Sequence, residues 1–367
     1  MQHEIKEANI LLDEKGNIKE PGFAKKLLSI YDRNQIKAPK SRIKEWDYYL
    51  INNGHYALAA TVDDNGYMGL DTVTFMDFDE GIRVAKDGFS IMPLGKVNLP
   101  STSVTGDSHA KGKGYKIDIT NDGNGIRVLE VYVNQIEKNE PLSAKITLTQ
   151  TGDESMVIAT PFEKNGHFYY NQKINCLRAE GEVNYKGKTY IFDPEDSFGV
   201  LDWGRGVWTY HNTWYWGSAS YQVDGIPFGW NIGYGFGDTK AATENMLFYN
   251  GKAHKLSHVQ FNIPGNDGPS QPGCKDTVNI DEETRKKLML NGKPNFSAPW
   301  TFTSDDGRFE MNFVPVLDRA SCANALIIKS DQHQVFGKYS GRAILDDGTV
   351  IEVEDFPGFA EKVENKW

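Results

Sequence analysis

The feature that most constrains this chain is a period-two alternation of apolar and polar residues, broken at short intervals by turn chemistry. Lys145–Thr149 (KITLT), Arg308–Phe313 (RFEMNF) and Thr349–Glu354 (TVIEVE) each alternate in this way. Such runs put one set of side chains on a buried sheet face and the other set on the opposite face. Between runs of this kind stand Asp64-Asn65-Gly66, Asn121-Asp122-Gly123, Lys186-Gly187, Asp305-Asp306-Gly307 and Asp346-Asp347-Gly348. Their Gly and Asn residues relieve the steric cost of the positive φ that tight hairpins require. A mostly β, antiparallel architecture follows. Helix is expected at only two places. Pro21–Tyr31 gathers Phe23, Leu27, Leu28 and Tyr31 on one helical face, and Asp281–Leu290 runs from acidic to basic. The Gly106–Gly114 stretch (GDSHAKGKG) reads as a surface loop.

At 367 residues the chain has room for about two domains. A net charge of -10 disfavours nucleic acid as a partner, because an acidic surface repels phosphate backbones. The opening MQHEIKEANILLDEKG carries charges where a secretory signal would be apolar, and no run approaches the length of a membrane-spanning helix. Cys176, Cys274 and Cys322 are odd in number and far apart, giving neither a disulfide framework nor zinc-ligand spacing. A cytoplasmic location, no metal and no cofactor are therefore expected.

Five of the eight tryptophans (Trp203, Trp208, Trp214, Trp216 and Trp230) fall within Phe192–Phe236. Alternation places Trp214, Trp216, Ser218 and Ser220 on one face of a strand. In the next strand Phe228, Trp230, Ile232, Tyr234 and Phe236 share a face, opposite Gly229, Asn231, Gly233 and Gly235. A row of glycines strips a sheet face of side chains and leaves room for a ligand or a closely packed chain. Within LDWGRG, Asp202 and Arg205 are flanked by large rings, where an isolated charge is costly. Either they neutralise one another as a buried ion pair, or desolvation raises the Asp202 carboxyl into the range of a general acid, with His211 as a partner. In Lys44–Tyr49 (KEWDYY), Glu45 and Asp47 share one strand face, either blunting a sheet edge or presenting a base to a cavity. Glu244 can cap backbone or bind a ligand hydroxyl. Glu361 and Lys362 read as an exposed charged pair.

The stretch FGVLDWGRGVWTYHNTWYWGSAS (Phe198–Ser220) resembles the family of domain of unknown function 2804. So do SRIKEWDYYLI (Ser41–Ile51), DNGYMGLDTVTFMDFD (Asp64–Asp79), HFYYNQKINC (His167–Cys176), GYGFGDTKAATENMLFYNGKAHKL (Gly233–Leu256), HQVFGKYSG (His333–Gly341) and GFAEKVENKW (Gly358–Trp367). More distantly, LDWGRG followed by WYWGSAS is similar to the pattern of carotenoid 1,2-hydratases and AttH-like proteins, without the Asp that those place between the tryptophans of the second strand. The resemblance implies two lipocalin-like (calycin) β units, as barrels or sandwiches, divided as residues 1–205 and 206–367, with a pocket at or near their junction. It also implies metal-free hydratase or cyclase chemistry by proton transfer, with Asp202 inheriting the acid role.

The expected function is a lyase or isomerase acting on a small apolar or aromatic molecule. Asp202 serves as acid, Arg205 as its orienting charge and His211 as partner. Trp203, Trp214, Trp216 and Trp230 form the pocket wall, with Asn231, Glu45 and Glu244 as further contacts. The alternatives are a non-catalytic carrier of hydrophobic ligands and a tryptophan platform for carbohydrate.

Overall fold

The computed structural model describes residues 2–266, 270–275, 294–325 and 328–366. Two large antiparallel sheets account for most of them, curling into a nearly closed barrel and a half-barrel in the manner of tandem lipocalin-like units. The first sheet runs through Ile82–Ile91, Met68–Asp77, Tyr56–Asp64, Lys44–Asn52, Phe198–Val207, Phe168–Tyr185, Glu140–Thr149, Ile126–Glu137, Tyr115–Asn121 and Ser108–Gly112. The second runs through Lys252–Lys255, Met246–Tyr249, Ile226–Tyr234, His211–Val223, Val350–Lys366, Ile328–Ile344, Phe309–Ala325, Trp300–Ser304 and Val259–Asn262. The chain crosses from one sheet to the other between Val207 and His211. The turn chemistry acts as expected: Lys186 (φ 50°) and Gly187 (φ 71°) close the hairpin between Phe168–Tyr185 and Lys188–Phe192.

Two expected elements are corrected. Pro21–Tyr31 forms no helix. Gly22–Ala24 is a strand that pairs Phe23 with Ile158 and Ala24 with Val157, and Ser29–Ile30 is a second short strand. Phe23 buries its ring among Met156, Ile158 and Tyr169, so tertiary packing overrides the local helical pattern. Ser108–Gly112, read as loop, is an edge strand that pairs Ser108 with Ile119. The expected helix at Asp281–Leu290 lies outside the described residues. Among those described, the helical elements are single 3₁₀ turns at Arg33–Gln35 and Lys40–Arg42, and no helix is long and apolar enough to cross a membrane.

Each sheet encloses its own filled core. Trp203, Tyr170, Phe75 and Phe168 pack inside the first; Trp230, Trp300, Phe302, Phe313 and Tyr339 pack inside the second. Two further clusters draw residues from both sheets. One joins Phe198, Tyr169 and Cys176 to Trp208, Phe236 and Phe248; the other joins Tyr48, Leu50 and Val200 to Trp216, Phe336 and Phe359. The central strand Phe198–Val207 is therefore buried on both faces along its whole length, and its sequence reads as a nearly unbroken apolar run with glycines.

The sheets are clamped at a bulge. Pairing between Phe168–Tyr185 and Phe198–Val207 shifts register between Ile174 and Leu177, with Cys176 at φ 57°. The bulge turns Asn175 out toward the second sheet. There its Nδ2 lies 2.8 Å from Ser218 Oγ, 3.0 Å from the Trp230 carbonyl and 3.2 Å from Ser220 Oγ. Ser220 Oγ also accepts the Cys176 amide at 3.0 Å. The Cys176 thiol seats where the face of Gly229 is bare: a Cβ on Gly229 would stand 2.9 Å from its Sγ. At this point the glycine row serves close packing of chain on chain.

Asn175→Ala removes the Asn175 donor from the buried Ser218 hydroxyl and Trp230 carbonyl and is expected to lower unfolding free energy by about 2 kcal/mol. Asn184→Ala, on the exposed part of the same strand, should change it by less than about 0.5 kcal/mol. Urea unfolding followed by tryptophan fluorescence checks this, and equal effects from the two substitutions would remove the clamp from the account.

Candidate active site

A cavity of about 240 Å³ lies between the two sheets, flanked by the two shared apolar clusters. Cross-strand register builds its walls, because residues directly opposite in an antiparallel pair point to the same face. In the first sheet Lys173 is paired with Asp202, Asp202 with Tyr48, Tyr48 with Thr61 and Thr61 with Thr72. That single row crosses five strands, and every member lines the cavity. In the second sheet Trp216 is paired with Glu361, Glu361 with Gln334 and Gln334 with Arg319, giving a facing row that also lines it. Trp46, Tyr169, Trp208, Trp214 and Phe236 complete an aromatic surround, with Asp63 and Glu244 at its edge. Gly204 makes room for the Trp46 indole, since a Cβ there would come within 2.0 Å of the ring.

The polar groups are interlocked. Lys173 Nζ lies 2.6 Å from Asp202 Oδ2 and 3.9 Å from the centre of the Trp216 ring, while Asn171 Nδ2 donates to Asp202 Oδ1 at 2.6 Å. Across the cavity Glu361 accepts from Trp214 Nε1 at 2.9 Å and from Gln334 Nε2 at 3.1 Å. The Gln334 carbonyl in turn accepts from Arg319 at 3.0 Å and from the Tyr48 hydroxyl at 3.4 Å. Burial pushes the Glu361 carboxyl up to about 7; the Trp214 hydrogen bond and Lys173 oppose that rise and Asp202 adds to it. Burial likewise lifts Glu244 to about 7, against the pull of Lys173 and with the push of Asp202. Asp63 is raised to about 8 by burial, against a hydrogen bond from the Leu70 amide. Trp208 is buried in the wall, and among the described residues its indole Nε1 has no hydrogen-bond partner.

The structure sorts the sequence candidates by strand face. Asp202, Trp214, Trp216 and Glu244 line the cavity. Arg205 lies three residues from Asp202 and so takes the other face. It pairs with Asp47 at 3.0 Å, donates to the Trp46 and Pro100 carbonyls at 2.7 Å, and stacks over Trp203, so the expected Asp202–Arg205 pair does not form. Trp203 fills the first core edge-on to Tyr31 and Tyr170, and Trp230 fills the second against Phe356 and Tyr339, so neither is a cavity wall. Glu45 faces away from the cavity as well, bonded to Tyr31 and Arg33; from its strand it is Trp46 and Tyr48 that face the void. Asn231 sits behind the wall, accepting from Trp216 Nε1 and donating to the Glu244 carbonyl, both at 2.7 Å. His211 is exposed and borders a separate open cleft. Glu361, read as surface, is 3% exposed. Its burial was signalled by alternation, since Phe359, Glu361, Val363 and Asn365 share one buried face. Lys173, Gln334 and Arg319 had no such signal, because their roles rest on register with distant strands.

These features define a tandem lipocalin-like β protein with a ring-walled polar cavity at the junction of its sheets. The chain belongs to the family described as domain of unknown function DUF2804, whose model matches residues 2–367. No curated protein matches it. Among solved structures it is similar to kievitone hydratase from Nectria haematococca, at 12% identity, TM-score 0.51 and coverage of 98% of each chain. It is also similar to a putative AttH from Nitrosomonas europaea, at 11% identity, TM-score 0.48 and coverage of 89% of this chain and 92% of that one. A third is CghA, at 9% identity, TM-score 0.44 and coverage of 97% of each chain. At these identities the likeness is one of fold.

A carboxyl lifted by burial keeps its proton in the folded state up to about 7, but loses it near 4.5 when unfolded, so stability falls as pH rises through that window. For Glu361 the loss above the window is roughly 3 kcal/mol. Glu361→Gln removes the titration. Relative to the parent, its melting temperature should therefore be higher at about pH 8.5 than at about pH 5 by a few degrees. A pH-independent difference would show that Glu361 is not held neutral.

Proposed function

We propose that the protein is an acid–base lyase or isomerase that adds water to, removes water from, or shifts a double bond within a small apolar or aromatic molecule. The observation that carries this reading is the convergence of Asp202, Glu244 and Glu361, from three segments far apart in the sequence, on one cavity walled by indole rings. Glu361, its carboxyl raised by burial to about 7 and held at both oxygens by Trp214 and Gln334, is the proton donor. It delivers its proton to an alkene carbon, and the positive charge left on the neighbouring carbon is stabilised by the faces of the surrounding rings. Asp202, anchored by Lys173 and Asn171, takes a proton from the water that bonds to that carbon. The sum is alkene plus water giving alcohol, and the reverse sequence is dehydration. Asp202, tied up in its ion pair with Lys173, is assigned the acceptor's role, and Glu361, whose carboxyl burial raises, the donor's, which moves the acid role away from the position that family resemblance suggests.

A carboxylic acid protonates only those alkenes that give a well-stabilised cation, so the substrate class is alkenes yielding tertiary or benzylic cations. The small cavity admits compact molecules of this kind or the reacting end of longer ones. That the same fold houses kievitone hydratase is in keeping with this reading.

A panel of such alkenes and their alcohols, incubated with the protein in ¹⁸O- and deuterium-labelled water, tests it by mass spectrometry. Label should enter both the carbon skeleton and the hydroxyl. Glu361→Gln and Asp202→Asn should each slow incorporation by about 100-fold or more while retaining ligand binding. Recovery of an intact, unlabelled molecule from the cavity with no turnover across the panel would instead establish a carrier.

A further inference from the structure

The hairpin of Phe309–Ala325 and Ile328–Ile344 has two chemically different faces. One presents Arg319, Gln332 and Gln334 to the cavity. The other carries Asp318, Ala320 and Cys322 on the first strand and Asp331 and His333 on the second, with Cys322 in register with Asp331 and Ala320 with His333. The small side chain of Ala320 lets the imidazole lean to the next position along, where Nδ1 meets Asp318 Oδ2 at 2.7 Å. Its Nε2 then lies 3.5 Å from Asp331 Oδ1, and Cys322 Sγ lies 3.1 Å from that same oxygen. A thiol, an imidazole and a carboxylate thus converge, with their ligand atoms all within 4.8 Å of one another.

The two separations at the Asp331 oxygen, 3.5 Å to Nε2 and 3.1 Å to Sγ, are near those of ligands that share a metal. Ligands about 2.0–2.3 Å from a tetrahedral zinc stand roughly 3.3–3.8 Å apart. With Nδ1–H donated to Asp318, Nε2 turns its lone pair toward a carboxylate oxygen, and two acceptors at 3.5 Å repel unless positive charge lies between them. That charge is either a proton or a cation. The thiol on the same oxygen favours the cation, since sulfur, nitrogen and oxygen donors together suit zinc. A carboxylate on the far nitrogen of a ligating histidine is the usual device for fixing its tautomer and orientation. Phe296 stacks on the imidazole at 3.9 Å, further restricting the ring. On the neighbouring strand Glu364 stands opposite Asp331 and Lys362 opposite His333, with Lys362 and Glu364 paired at 2.9 Å; Arg83 approaches from the first sheet to bond the Ala320 carbonyl at 3.0 Å. Three carboxylates and a thiol thus face two cations.

We propose that Cys322, Asp331 and His333 bind a divalent zinc-class ion, with Asp318 as the positioning carboxylate. The ion would staple the two strands on one face while their other face holds Arg319 and Gln334 against Glu361. The site stands independently of the chemistry assigned to the cavity.

Calorimetric titration of the full chain with zinc chloride, and cobalt(II) substitution followed by absorbance, test it. Zinc should bind at one ion per chain, and cobalt should give a thiolate charge-transfer band. Cys322→Ser should abolish the band, and His333→Ala should weaken zinc by about 100-fold or more, with Asp318→Asn weakening it by about 10-fold. Cys274→Ser, in a loop outside the strands, should change nothing. Protection of Cys322 from iodoacetamide by zinc in the parent protein provides a readout that needs no variant. Zinc binding unchanged in the Cys322→Ser/His333→Ala double variant, or a cobalt spectrum without the thiolate band, would overturn the proposal. The cluster would then be a metal-free contact of His333 with the two aspartates.

Discussion

The buried pair of Lys173 and Asp202 is the interaction around which the rest of the molecule is arranged. Both side chains lie almost wholly out of water, at the middle of the first sheet and directly against the second. Desolvating two ions costs more than their attraction returns unless their remaining hydrogen-bonding capacity is met. Here Asn171 supplies a donor to the carboxylate and the Trp216 ring faces the ammonium. The pair is therefore weak evidence for stability and strong evidence for an electrostatic purpose. Its two charges act in opposite senses on Glu244 and Glu361, the anion pushing both carboxyls toward neutrality and the cation pulling them back. Burial is the largest cause of the rise at both, and at Glu361 the Trp214 hydrogen bond is the largest cause opposing it.

This arrangement explains why the cavity is where it is. A single lipocalin-like barrel holds its ligand inside, but both cores here are filled, the first by Trp203 and its edge-on tyrosines and the second by Trp230 and the rings around it. The space that remains lies between the sheets. It can be polar because each wall is a sheet face whose opposite side is already occupied by core. Alternation at period two then lets one strand serve both environments: Trp203 and Arg205 turn inward, while Asp202 turns to the void. The bulge at Asn175 and Cys176 holds the sheets together with hydrogen bonds beside the void, leaving the cavity face of the strand to Lys173.

Much of this was legible in the sequence, and what was not has a physical cause. Alternation and turn chemistry mark the antiparallel β class and the shared face of Trp214 and Trp216. Asp202 stood out because an acid among rings is costly wherever it lies. The same period-two rule, applied to Asp202 and Arg205, puts them on opposite faces, so sequence proximity misled there. It also separates Trp203 from Asp202. Trp230 shows a different limit: alternation correctly grouped it with Phe228 and Ile232, but could not say that this face was the closed interior of a barrel. Lys173, Gln334 and Arg319 were out of reach, because register between strands far apart in sequence is a property of the assembled sheets. Pro21–Tyr31 failed for the converse reason, its local helical pattern yielding to a place in a ladder and an apolar cluster.

The tryptophans of the cavity do more than provide apolar surface. Trp214 donates its indole N–H to Glu361, and Trp216 donates its own to Asn231, which holds the Glu244 carbonyl. Each ring is thereby fixed at its polar edge, so its face is presented to the void in one orientation. Trp214 thus offers its ring face to the void and at the same time orients the Glu361 carboxyl. Replacing either indole by a ring without an N–H would keep the surface but release the carboxyl or amide behind it. The orientation of Glu361 is in this sense built into the aromatic wall, and the wall into the register of the two sheets.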